Sequence, residues 1–288
     1  MNNNTKLTFN KKLLQAAVKI NVSAAIEEDL KNIDKTSDIL PTKTLGVAKI
    51  QAKQAAILCG SPWVNYCFNQ IDKNIRIVWH FNEGSKIKTG DKICTISGNY
   101  NHILMGERIA INFLQTLSGT ASTSNLMNLK IRRYKVRLFD TRKTIPGLRV
   151  AQKYAVQVGG AFNQRFGLYD QVLIKENHIK SIGSVTQILN IAKEKYSLKD
   201  IQIEVENLKE FKEAIDLGAT NILLDNFSLK NLTKAVQINK NKAVLEASGD
   251  IDINNIIDFA KTKVNRISIG ALTKNIKAVD FSMSIRIK

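Results

Sequence analysis

Apolar and polar positions divide the chain into two stretches of different period. Near the start, Leu13, Leu14, Ala17 and Val18, then Ile26 and Leu30, recur at the spacing of an amphipathic helix. Residues 1–40 therefore read as helical, closed by Pro41. From Leu45 to Ser97 the apolar runs shorten to GVAKIQA, AAILCG and IRIVWHF, the pattern of strands between turns. NEGSKIKTGDKICTISG follows with a glycine at each turn and alternating apolar positions, which predicts a hairpin. GERIAINFLQTLSGTAS, from Gly106, begins a long helix with Ile109, Phe113, Leu114 and Leu117 on one face. The expectation for this half is a small α+β sandwich without chemistry of its own.

Beyond Arg137 strands and helices alternate. VRLFD, QVLI, IQIEV, NILLD, AVLEAS and RISIG are apolar strands separated by helical stretches, which implies right-handed βαβ units and a parallel sheet. Each strand ends in polar or glycine positions: Asp140 to Lys143, Lys175, Glu204 and Glu206, Asp225, Ser248 with Gly249, and Gly270. An open sheet gathers ligand groups at one switch point, whereas a barrel brings all its strand ends to one mouth. The fold class is therefore α/β, and with fewer than eight strands visible the barrel is incomplete.

Composition narrows the function. A formal charge of +18 first suggests nucleic acid or an anionic membrane. Only 10 of the 43 basic residues are Arg, however, and 5 of those lie between Arg132 and Arg149. The Lys excess reads as surface bias and the clustered Arg as a site, and no stacking-rich aromatic-basic motif supports RNA or DNA binding. Cys59, Cys67 and Cys94 are odd in number and lack paired spacing, so they read as buried reduced thiols. The N-terminus has no apolar signal core and no apolar run reaches membrane length, which predicts a cytoplasmic protein with neither membrane nor nucleic-acid partner. His80 and His102 read as structural or exposed polar residues.

The chemistry concentrates in residues 140–178. Arg142, Lys143, Arg149, Arg165 and Lys175 fall among Gly147, Gly159, Gly160 and Gly167. Arginine forks grip carboxylate and phosphate at two points, and lysine acts as a point charge. Two of these cation groups directly follow apolar strands. With Glu204 and Asp225 at neighbouring strand ends, the pattern suits a polyanionic substrate and a divalent metal.

The segments DTRKT-PGLR, KYAV-x-x-GG and LIK-E-NHI resemble the signature of the quinolinate phosphoribosyltransferase family (nicotinate-nucleotide pyrophosphorylase, carboxylating). The resemblance runs from about Glu28 to about Ile285. It implies a seven-stranded α/β barrel over residues 116–274 and an N-terminal sandwich over 1–115, joined by the returning segment 275–288. It also implies transfer of phosphoribosyl from phosphoribosyl pyrophosphate to quinolinate, with loss of CO₂ and pyrophosphate. On the matching motifs, Arg108 of the partner subunit in a homodimer, Thr141, Arg142, Gln164, Arg165 and Lys175 would hold quinolinate. Lys143, Glu204, Asp225, Ser248, Gly249, Asp250, Ile269, Gly270, Ala271 and Lys274 would hold phosphoribosyl pyrophosphate. Lys143, Lys175, Glu204 and Asp225 would be catalytic, with Mg²⁺ at Glu204 and Asp225 partly through water. No organic cofactor is expected, because the pyridinium nitrogen itself stabilises the carbanion left by CO₂. Arg108 in the first turn of a helix also suggests an outward reach to an anion, since cations suit the other helix end.

The chain departs from the family pattern at four places. EDLKNIDKT carries Lys31 and Ile33 where the family usually has glycines. GGAFNQR carries Ala161 for glycine and Gln164 for a histidine expected to face a substrate carboxylate. Asp250 stands in SGD where SGN is usual, and Lys274 replaces a histidine. A glutamine donates a hydrogen bond but never a positive charge. The alternatives are therefore a phosphoribosyltransferase acting on nicotinate or nicotinamide, and a non-catalytic nucleotide- or nucleic-acid-binding paralogue.

Overall fold

A computed structural model of the chain describes residues 9–31, 34–36, 39–40 and 44–288. The chain divides into two compact units, Met1–Asn125 with Thr144–Gly160 and Leu272–Lys288, and Leu126–Lys143 with Ala161–Ala271.

In the first unit, α1 (Lys11–Asp29) begins at Asn10, whose side chain accepts hydrogen bonds from the Lys12 and Leu13 amides. The helix is thus shorter than the predicted span. Residues 1–8, Ile33 and Pro41 lie outside the described residues. Lys31, at one of the family's glycine places, adopts φ 46°, so the left-handed turn forms without glycine. There follow β1 (Leu45–Ala52), β2 (Ala56–Ile57), α2 (Ser61–Ile71), β3 (Arg76–Trp79), β4 (Lys86–Ile87), β5 (Lys92–Asn99), α3 (Tyr100–Ile131) and, later in the chain, α4 (Arg149–Val158).

The predicted hairpin does not form between β4 and β5. The turn itself is present, with the Lys88 amide donating to Asp91 Oδ2 at 2.7 Å. Gly90 N–H and Asp91 C=O, however, bond the carbonyl and amide of Ala52 at the end of β1. Anchored there, the chain sends β4 to pair with β2 and β5 to pair with β1 and β3.

The predicted start of the long helix also moves. Asn99 Oδ1 accepts from the amides of Asn101 and His102 and caps α3 at Tyr100. Arg108 is therefore well past the first turn, and helix-dipole reasoning does not bear on it. Gly106 serves packing instead, since a Cβ there would lie 2.4 Å from Phe68 Cε1.

The final strand of the chain, here β12 (Phe281–Ile287), pairs with β1 and completes an antiparallel sheet in the order β12-β1-β5-β3. Ile50, Ile93, Ile96, Ile103 and Leu114 form its core, and Val22, Trp63, Leu117 and Tyr154 form a second cluster. The three cysteines are buried and free, and burial pushes Cys67 and Cys94 up to about 12. His102 Nδ1 lies 2.8 Å from Asp72 Oδ2, and His80 Nε2 lies 2.9 Å from Thr95 Oγ1. No described helix is long and apolar enough to cross a membrane.

The second unit holds β6 (Arg137–Phe139), β7 (Val172–Ile174), β8 (Ile201–Val205), β9 (Asn221–Asp225), β10 (Val244–Ser248) and β11 (Arg266–Ser268). They form one parallel sheet in the order β6-β11-β10-β9-β8-β7. Helices intervene, among them α5 (Glu176–Ile182), α6 (Val185–Lys195), α7 (Leu208–Asp216) and α8 (Leu229–Asn239). Ser184, Asn207 and Ser228 cap α6, α7 and α8 through side-chain oxygens. Gly218, at φ 80°, reverses the chain after α7.

A seventh strand position survives as one parallel bridge, Phe139 to Phe162. Phe162 N–H bonds Leu138 O at 2.8 Å, and Asp140 N–H bonds Phe162 O at 3.1 Å. Between Phe162 and β7, Arg165 Nη1 donates to Gln171 O at 2.7 Å, a side-chain tie where no ladder runs. The unit is an incomplete barrel.

Candidate active site

Side chains alternate along parallel strands, so one set from each strand faces the barrel interior. At the carboxyl ends those sets enclose a cavity of about 360 Å³. Thr141, Arg142, Lys143, Gln164, Arg165, Lys175, Glu204, Asp225 and Ser248 all line it. Nine of the residues picked from sequence thus share one cavity, although they span more than a hundred positions of chain.

Local structure explains how each is presented. Arg142 and Lys143 follow β6, and Thr141 Oγ1 accepts from the Lys143 amide at 3.0 Å. Gly270 lies against the Lys143 side chain, since a Cβ there would come within 3.0 Å of Lys143 Cδ. Lys175 occupies the cap position of α5. Its N–H donates to His178 Nδ1 at 2.9 Å, and its carbonyl accepts from the His178 and Ile179 amides. His178 of the NHI motif is therefore a brace for Lys175. After β9, Asn226 takes φ 54° and donates to Asp225 Oδ2 at 2.8 Å. Gly249, at φ 104°, packs so closely that a Cβ would reach 2.0 Å from Asn226 Oδ1.

Charge is balanced rather than simply positive. Lys175 Nζ lies 3.8 Å from Glu204 Oε2. Burial pushes the Glu204 carboxyl up to about 7 against the opposing pull of Lys175, and Asp225 and Glu176 add to the rise. Burial also raises Asp225, while Lys143 and Lys175 draw it down. Burial lowers Arg165, and the neighbouring Arg142 lowers it further. Such opposed shifts in one concave site mark a place for ionic chemistry.

Not every expected residue lines the cavity. Gly249, Asp250, Ile269, Gly270 and Ala271 follow the strand ends without lining it, and Asp250 is exposed at φ 44°. Arg108 and Lys274 belong to the first unit, are exposed, and are not among its lining residues. Sequence reasoning also overlooked residues that do line it: Gln202, Glu246 and Ser268, with apolar Leu173 and Leu223. The signal for Glu246 was present, because an acid inside the apolar run AVLEAS has an alternation partner in Ser248. Among the described residues no group of three or more His, Cys, Asp or Glu side chains is placed to hold a metal. The two carboxylates of Glu204 and Asp225 fit a hard cation that keeps water and substrate oxygens as its other ligands.

Comparison with known proteins places the chain in a family. The family model described as quinolinate phosphoribosyl transferase, N-terminal domain, matches residues 34–118, and that of the C-terminal domain matches residues 120–284. A Bacillus subtilis protein named probable nicotinate-nucleotide pyrophosphorylase (carboxylating) is 34% identical over 259 residues, covering 90% of each chain. A Methanocaldococcus jannaschii protein of the same name is 39% identical over 260 residues, covering 87% of this chain and 90% of that one. The solved nicotinate-nucleotide pyrophosphorylase from Francisella tularensis superposes with a TM-score of 0.91 at 43% identity, covering 94% of this chain and 97% of that one.

Proposed function

The chain belongs to the quinolinate phosphoribosyl transferase family, and from that premise we infer how its own residues carry out the family's reaction. It is a pentosyltransferase that transfers phosphoribosyl from phosphoribosyl pyrophosphate to quinolinate, with decarboxylation, giving nicotinate mononucleotide, CO₂ and pyrophosphate. The observation that carries this reading is that Arg142, Arg165 and Lys175 face one cavity together with Glu204 and Asp225.

Quinolinate has two adjacent carboxylates and needs several fixed cations away from bulk water. Arg142 and Arg165 supply guanidinium forks, Lys175 a point charge and Thr141 a polar contact, while Gln164 lines the pocket with its amide nitrogen turned to Glu246. Lys143, beside Gly270, offsets charge on the departing pyrophosphate. Ser248, and the backbone amides at Gly249 and Asp250 and at Gly270 and Ala271, suit phosphate oxygens, whereas the Ile269 N–H already donates to Phe139 O at 2.9 Å. Glu204 and Asp225 would hold Mg²⁺, partly through water, and orient the ribose hydroxyls. Bound there, the metal neutralises pyrophosphate charge. As C1 of the ribose loses pyrophosphate and bonds the pyridine nitrogen, the protein's part is positioning and fixed electrostatics. Loss of CO₂ leaves an electron pair on the carbon beside the cationic ring nitrogen, which stabilises it until that carbon takes up a proton to give nicotinate mononucleotide, so no organic cofactor is required.

Arg108 is exposed on α3, and by the family's pattern the partner's Arg108 completes the carboxylate site in a homodimer, with Lys274 as a further phosphate contact. Water-soluble polyanionic substrates suit a cytoplasmic enzyme. The test is purified protein with phosphoribosyl pyrophosphate, Mg²⁺ and each pyridine in turn. Nicotinate mononucleotide with equimolar CO₂ from quinolinate is expected. Turnover of nicotinate or nicotinamide instead would overturn the substrate.

A further inference from the structure

The segment after Phe162 carries Arg165, yet it has almost no backbone ladder to hold it. Its bridge to β6 is one residue long, and beyond it the chain is fixed by side chains. Asp140, fully buried, accepts the Gln164 amide at 2.8 Å on one carboxylate oxygen and Asn163 Nδ2 at 2.6 Å on the other. Gln164 Nε2 in turn donates to both oxygens of Glu246, at 2.5 Å each.

Glu246 is 1% exposed and lies in the middle of β10. Its second donor is Gln202 Nε2 at 3.1 Å. Both donors are neutral amides, and among the described residues Glu246 has no ion pair. Burying a carboxylate without a cation is costly, and an apolar side chain would fill that place more cheaply. A carboxylate accepts only, so it fixes which end of each amide faces it.

We propose that Glu246 is a positioning residue for the pyridine side of the pocket: it holds the Gln164 side chain by its amide nitrogen and, through residue 164, sets where Arg165 presents its guanidinium. The proposal rests on the pocket binding quinolinate, as read above. It also gives a reason why glutamine serves at position 164. The task there is to donate to Glu246, which a neutral amide or an imidazole N–H can both do.

Steady-state kinetics on Glu246→Gln, Gln164→Leu, Gln164→His and the double variant Gln164→Leu/Glu246→Gln test the idea. In Glu246→Gln, the new amide nitrogen turns a donor toward donors and the charge-assisted bonds are lost. The KM for quinolinate should rise about tenfold, while the KM for phosphoribosyl pyrophosphate stays within about twofold. Gln164→Leu should behave alike, and the double variant should be no worse than either single one, because one interaction is removed in all three. Gln164→His should recover most of the quinolinate KM lost in Gln164→Leu. Equal changes in both KM values, no change in either, or additive losses in the double variant would overturn the proposal. If Glu246→Gln fails to unfold cooperatively, the Leu and His variants at position 164 decide the matter alone. The wild-type control separates this from the parent reading: without nicotinate mononucleotide from quinolinate, that reading fails first.

Discussion

Lowering the pH through neutrality should weaken the enzyme through Glu204 in particular. Its carboxyl, ordinarily at 4.5, is pushed up to about 7 by burial against the pull of Lys175. In the role proposed for Glu204, helping to hold Mg²⁺ and ribose, the carboxylate must be ionised. At pH 8 about nine-tenths of the free enzyme has Glu204 ionised, and at pH 6 about one-tenth, so kcat/KM for phosphoribosyl pyrophosphate should fall about tenfold between them. The substrate phosphate also titrates near pH 6, so the comparison is with Glu204→Gln, whose lower kcat/KM should keep only a shallower limb at more acid pH. A stability effect of definite sign accompanies this. A carboxyl whose folded pKa is raised binds its proton better folded than unfolded. Its stabilising contribution is full below about 4.5 and lost as the pH rises through about 7. The shift corresponds to at most roughly 3 kcal/mol, and the cavity's access to solvent reduces it to on the order of 1–2 kcal/mol. Glu204→Gln should therefore be more stable than wild type in urea at pH 8 and equal to it near pH 4. A flat wild-type profile from pH 6 to 8, or an unchanged profile in Glu204→Gln, would refute the reasoning.

Other predictions test the remaining parts of the site. Arg142→Ala and Arg165→Ala should each lose at least about a hundredfold in kcat/KM for quinolinate with circular dichroism unchanged, since each removes a charge-assisted fork; an active Arg142→Ala enzyme would take that residue out of the site. Arg108→Ala should be inactive alone, yet mixing it with Arg142→Ala should restore activity through hybrid dimers that carry one intact site; no recovery would refute a shared site. Gly249→Ala combines φ 104° with a Cβ 2.0 Å from Asn226 Oδ1. It should lose about 2 kcal/mol in denaturant unfolding and raise the KM for phosphoribosyl pyrophosphate. Removal of divalent metal by EDTA should abolish turnover, and Mg²⁺ should restore it.

Local sequence determined a good deal. The apolar strands from VRLFD to RISIG, their helical spacers, and polar residues at each carboxyl end are short-range patterns. They are enough to predict an incomplete parallel barrel and to bring Arg142, Lys175, Glu204 and Asp225 to one mouth, whereas Arg165 is assigned to the site by the family resemblance alone. The start of α3 is not placed by pattern: Gly106 reads as the helix start although its role is contact with Phe68, and the cap at Asn99 emerges only in the structure. What sequence could not decide depends on partners far along the chain. Strand β4 reads as half of a hairpin until Ala52 takes up Gly90 and Asp91 and sends it to β2. Phe162 lies in a loop by pattern, yet it makes the single bridge that stands for a seventh strand. Gln164 reads as a ligand for substrate, and only the fold shows its amide committed to Glu246, 82 residues away. The raised Glu204 carboxyl is likewise a product of burial and of neighbours from other strands. Periodicity and caps act over a few residues and leave their mark in the letters, whereas burial, charge balance and side-chain pairing exist only once distant segments are packed together.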